Sequence, residues 1–146
     1  MALVTTNAGE LILLDYMLKE TSIGDTPTSG GYIIELFNNN VTPSGSSAIG
    51  DFVVATFDGY ASHTLSRSGW ASPTASVFGA GVTKAVSSYS QQSWTCGTTG
   101  DTIYGYYVTS GDGTTLLWSE KFASSRVLAN TDQLIVTPVF TLNSEN

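Results

Sequence analysis

The chain predicts a mainly β protein, an antiparallel sandwich or open barrel of about six to eight strands with one N-terminal α-helix. Three observations carry that expectation. Small hydroxyl and turn residues are abundant, with 19 Ser, 20 Thr and 15 Gly in 146 residues. Short apolar runs rich in β-branched and aromatic residues recur between Gly, Asn, Asp and Ser clusters. Helical periodicity is confined to the first 20 residues. The length fits a single domain over 1–146, with a helix at 7–20 and a β-rich body at 31–142.

Asn7 is placed to cap the helix and Glu10 to reach back in a capping box. Leu11, Leu14 and Leu18 then share one face, widened by Ile12 and Tyr16. Such a stripe must dock, on its own sheet or on a neighbouring subunit. Residues 21–30 read as a polar connection. Tyr32 to Phe37 forms a strand ended by Asn38-Asn39-Asn40. Residues 51–57 suit either a short strand or a helical turn capped by Asp51, and Tyr60 to Ser66 suits a short strand after the Asp58-Gly59 turn. Trp70 lies in a Gly/Ser/Pro loop, which points to a surface or an interface.

Ser76 to Trp94 carries strand pattern, with Gly79 and Gly81 marking a bulge or a close backbone approach. The strongest hairpin runs from Ile103 to Thr109, through Ser110-Gly111-Asp112-Gly113, to Thr114–Phe122. Ile103, Gly105 and Tyr107 face one way, and Tyr104, Tyr106 and Val108 the other. A strand apolar on both faces belongs in the middle of a sheet. The last strand is expected over Gln133–Leu142, with Leu134, Val136, Phe140 and Leu142 alternating. Pro138 cannot donate to a ladder, which makes this an edge strand or puts its missing donor on the free side. Tyr104, Tyr106, Trp118, Val136 and Phe140 are the expected core or buried interface. Leu11, Leu14, Leu18, Trp70 and Pro138 are the candidate residues for contact with a partner.

Charge narrows the function classes. Five Lys and Arg against twelve Asp and Glu give a net charge of −7. Lys19, Arg67, Lys84, Lys121 and Arg126 are scattered, whereas a nucleic-acid groove or a membrane-surface helix needs clustered cations. Neither nucleic acid nor membrane is an expected partner. The N-terminal apolar run is interrupted at Asp15 and follows no Lys or Arg, so it matches neither a signal peptide nor a membrane span. Cys96 is the only cysteine and His63 the only histidine. One of each supplies neither an intrachain disulfide nor a usual zinc set.

No nucleophile turn surrounds His63, and no phosphate loop or dinucleotide fingerprint occurs. Asp51 and Asp58 read as turn residues as readily as a carboxylate pair for glycoside cleavage. Asp101 and Asp112 sit in turns that lack the spaced oxygens of a calcium loop. No catalytic residue, cofactor or metal is therefore expected. Asn40-Val41-Thr42 matches a glycosylation acceptor, a weak three-residue signal. Trp70, Trp94 and Trp118 with Tyr104, Tyr106 and Tyr107 suit either a sandwich core or a sugar-stacking platform.

Several strings together resemble a group of small virion proteins of tailed bacteriophages. They are Leu36 to Pro43, Asp51-Phe52 through Ala55-Thr56-Phe57, Gly59-Tyr60-Ala61, Ile103 to Val108, Leu116 to Phe122 and Val136-Thr137-Pro138, with Asn7-Ala8-Gly9-Glu10 at the start. Similarity spans nearly the whole chain and is least at residues 21–30 and 66–76. The resemblance implies a virion component. With the small size, acidity and lack of catalytic groups, it implies a non-enzymatic head decoration, or cement, protein on the outer face of the major capsid lattice. Its expected partners are the major capsid protein and further copies of itself, with a trimer favoured by local three-fold lattice sites. The alternative is a tail or baseplate fibre module that recognises a host-surface glycan through exposed aromatics.

Overall fold

The structure, a computed structural model, describes Leu14, Met17, Leu18 and residues 31–78 and 82–142. These residues are mainly β, and every strand pairing is antiparallel. Of the helix expected at 7–20, Leu14, Met17 and Leu18 have helical backbone. The remainder lies outside the described residues, as do Gly79 and Gly81, and no N-terminal helix is delimited. Two compact units emerge, and neither is one continuous stretch of chain. The first takes Met1–Asp25, Ser66–Gln91 and Thr137–Asn146, and the second Thr26–Leu65 and Gln92–Val136.

The second unit holds a four-stranded sheet in the order β2-β1-β6-β7. Its strands are β1 (Tyr32–Phe37), β2 (His63–Leu65), β6 (Asp101–Thr109) and β7 (Leu116–Leu128). β1 has the expected bounds, and its side chains alternate: Tyr32, Ile34 and Leu36 are buried while Ile33 and Glu35 are half-buried. β6 lies between β1 and β7, with Leu36 opposite Tyr106 on one side and Tyr106 opposite Glu120 on the other. Its two apolar faces are both used, since Ile103, Tyr106, Tyr107 and Val108 are all at most 2% exposed. Gly105 sits opposite Phe37. A methyl group there would collide with the Phe37 ring and the Glu120 carbonyl oxygen, so the central strand needs a residue without a Cβ at this point.

Phe37, Phe52 and Tyr107 form a ring cluster, Phe52 lying 5.0 Å from each of the other two centroids. Phe52 arrives on a 3-10 turn over Ile49–Asp51. The Asp51 carboxylate accepts the Ala48 N–H at 2.8 Å, and the chain then runs along β1, with the Ala55 N–H on the Leu36 carbonyl. Residues 51–57 form neither the expected strand nor a turn begun at Asp51: the 3-10 turn ends at Asp51, and Val54 makes a single bridge to Phe37. The same unit holds the pair β5 (Gln92–Thr95) and β8 (Gln133–Val136).

The first unit holds a three-stranded sheet in the order β3-β4-β9, from β3 (Thr74–Phe78), β4 (Val82–Ser88) and β9 (Val139–Leu142). The strand expected over Gln133–Leu142 is therefore two strands in two sheets. Thr137 and Pro138 separate them, because Pro138 has no N–H to continue a ladder. Its carbonyl instead accepts the Tyr89 N–H at 2.9 Å. This split, together with three short strands between 74 and 95, gives nine strands among the described residues.

Candidate functional site

Four of the five candidate contact residues are described, and all four are buried. Leu14 and Leu18 are 0% exposed and Trp70 is 2% exposed; Pro138 is buried too. Leu11 lies outside the described residues. Trp70 is thus not a surface residue, contrary to the expectation drawn from its loop. Its ring meets Tyr89 edge-on at 5.4 Å, and its backbone bridges to the same residue. The Tyr89 hydroxyl in turn accepts the Ser66 N–H at 3.1 Å. A glycine-poor flank would not permit this closure, since a methyl group on Gly69 would strike the Tyr89 ring. Apolar loop residues look like contact points in a sequence because nothing local reveals a ring arriving from 19 positions away.

Among the described residues, Asp51, Asp58, Asp101 and Asp112 brace turns and strands. Asp58 Oδ2 accepts the Thr98 N–H and hydroxyl at 3.0 and 3.1 Å, while its backbone pairs with Gly97 and Thr99. The Thr98 hydrogen bonds hold this carboxyl below its ordinary value. Asp101 is desolvated, which alone would raise its pKa. Hydrogen bonds from the Thr56 N–H, the Asn38 amide and the Thr102 N–H outweigh that and lower it. Asp112 stands in the hairpin turn, where the Ser110 hydroxyl and Thr114 N–H lower its pKa. All three are turn and strand ties, and Asp51 caps its own turn.

His63 stacks on Trp94 at 4.4 Å with 13° between the planes, and its Nδ1 meets Gln92 Oε1 at 3.0 Å. Trp94 donates its indole N–H to the Ala61 carbonyl at 2.7 Å. Cys96 is 1% exposed, and burial pushes its thiol pKa up, the opposite of what a nucleophile needs. Lys121 donates to Asn40 Oδ1 at 2.7 Å and Thr42 Oγ1 at 3.1 Å, so the glycosylation-like tripeptide is a clasp for β7. No three His, Cys, Asp or Glu side chains converge on a metal position among the described residues. None of the described helices is long and apolar enough to cross a membrane.

Of the aromatic platform, Trp70, Trp94, Tyr106 and Tyr107 are at most 2% exposed, leaving Tyr104 and Trp118 half-buried. Trp118 lies edge-on to Tyr32 at 5.7 Å and helps line a shallow groove of about 340 Å³ with Leu117, Pro43, Ser44 and Ser47. A second groove, of about 510 Å³, lies between residues 125–128 of β7 and 132–135 at β8. β7 runs six residues beyond the hairpin end expected at Phe122, and this groove lies along that continuation. Its signal in the sequence is Val127-Leu128, an apolar pair following Ala123-Ser124-Ser125-Arg126. No protein-family model, curated protein or solved structure matches the chain.

Proposed function

We propose that this chain is a non-enzymatic structural protein of a tailed-bacteriophage virion, a decoration protein that binds the outer face of the major capsid lattice and stabilises the head. The supporting observation is the use of Asp51, Asp58, Asp101, Asp112 and His63 as braces. What remains at the surface is hydroxyl-rich strand and loop. A clamp across subunit seams needs area and shape, not reactive groups, and an acidic clamp does not adhere to packaged DNA. The fold that accompanies this reading is an antiparallel sandwich or open barrel carrying the 7–20 helix. Its partners are the major capsid protein and further copies of the chain.

The test is cryo-electron microscopy of the virion, joined with sedimentation of purified protein with expanded capsids. Regular density on the outer head surface, and co-sedimentation that saturates at a fixed stoichiometry, are the expected results. Density on the tail would instead favour glycan recognition, for which the Trp118 groove is the specific support. Trp118→Phe would then weaken glycan binding while leaving capsid binding unchanged.

A further inference from the structure

We propose that the groove between β7 and β8 is a self-association surface that takes a second copy of this chain across a two-fold axis. Consecutive residues line it on both sides, 125–128 and 132–135. Side chains alternate across a strand, so four consecutive residues border one groove only where a strand turns its edge to it. Both edges are open among the described residues, since β7 pairs only with β6 and β8 only with β5. Leu128 and Leu134 are buried there, whereas Val127 is 74% and Ile135 48% exposed. Open edges bearing exposed apolar side chains are what proteins otherwise cover, charge or blunt.

Elsewhere β7 is blunted. Ile103 pairs with Arg126 and Gly105 with Lys121, so residues 122–125 loop out against the single Tyr104. Such a bulge disrupts ladder pairing along an edge, which confines docking to the residues beyond it. Charge identifies the occupant. The lining holds one cation, Arg126, and one anion, Asp132. Among the described residues the Arg126 side chain makes no hydrogen bond or ion pair, and the Asp132 carboxylate accepts only the Ala129 N–H at 2.9 Å. A two-fold axis brings Arg126 of each copy to Asp132 of the other, and sets each edge antiparallel to its counterpart. The patch is its own complement, whereas a partner of uniform charge would leave one of the two groups opposed.

Eight lining residues are fewer than the roughly 20–30 per side of a standard interface. Association is accordingly concentration-dependent, and it does not rest on the virion reading. Sedimentation equilibrium of the full chain tests it, with a monomer–dimer equilibrium expected. Val127→Glu and Ile135→Lys alter exposed side chains, and each should weaken association at least about tenfold while thermal melts stay unchanged. An equimolar mixture of Arg126→Glu and Asp132→Lys chains should associate more tightly than either alone, because the new carboxylate of one copy meets the new ammonium of the other. The proposal is overturned by a wild-type chain that stays monomeric up to about 1 mM, by an assembly that neither variant disturbs, or by a mixture no tighter than either variant alone.

Discussion

Asp101 shows how a single side chain can hold two distant segments. Its carboxylate gathers donors from Asn38, Thr56 and Thr102, so Asp101→Ala orphans three groups and should cost about 1–3 kcal/mol in denaturant unfolding. Asp58, Asp101 and Asp112 all titrate below their ordinary 3.8 in the folded chain. Their stabilisation is therefore complete above that value and fades as pH falls through the lower folded values. Melting temperature should hold level above about pH 5 and fall below about pH 4, less steeply in the Asp101→Ala variant. The opposite sign applies to tyrosine. Burial raises Tyr60 to about 12, with the Leu36 N–H on its hydroxyl working the other way. Burial and a hydrogen bond to Glu35 raise Tyr107 as well. Unfolded tyrosines ionise near 10, so both groups oppose alkaline unfolding below that pH and lose this contribution above it. Absorbance at the tyrosinate band should show Tyr60 and Tyr107 ionising only near or after unfolding, a late component that Tyr60→Phe reduces.

Among the elements, β6 carries the largest share of what the residue pattern promised and one feature that it concealed. Two-sided apolarity placed it between neighbours, and β1 and β7 do flank it. Tyr106 is 2% exposed, with its hydroxyl donating to Glu120 at 2.5 Å. Tyr106→Ala should destabilise by about 3–5 kcal/mol, read by chemical denaturation. In the same strand Gly105→Ala should cost about 1–3 kcal/mol through collision with Phe37 and the Glu120 carbonyl, read by the same denaturation. Pro138 illustrates a different limit. Its missing donor was legible as an edge signal. That the chain leaves one sheet at that residue and joins another depends on Val139 to Leu142 finding β4 as their partner, a contact about 50 positions away that no local pattern encodes.

At the scale of the molecule, the chain passes between the two units at residues 25/26, 65/66, 91/92 and 136/137. The excursion Ser66–Gln91 leaves and re-enters the second unit at neighbouring points, because His63 hydrogen-bonds Gln92 and stacks on Trp94. Replacing 66–91 with a short Gly/Ser linker in a 26–136 fragment should give a cooperative melt with dispersed amide resonances. A fragment without either would show that the second unit needs the first to fold. The sequence by itself determined the β class, the start and end of β1, the central place of β6, the hairpin turn at Ser110–Gly113 and an inventory of one histidine and one cysteine. These depend on alternation, turn chemistry and inventory, which act over a few residues and are written in order along the chain. Only the tertiary structure decided that Trp70 and Pro138 are buried, that Asp51, Asp58, Asp101 and Asp112 serve as ties, and that the ends of β7 and β8 border one groove with no further strand beside them among the described residues. Burial and edge pairing depend on which distant segment arrives, and that is set by long-range packing free energy rather than by neighbours in sequence.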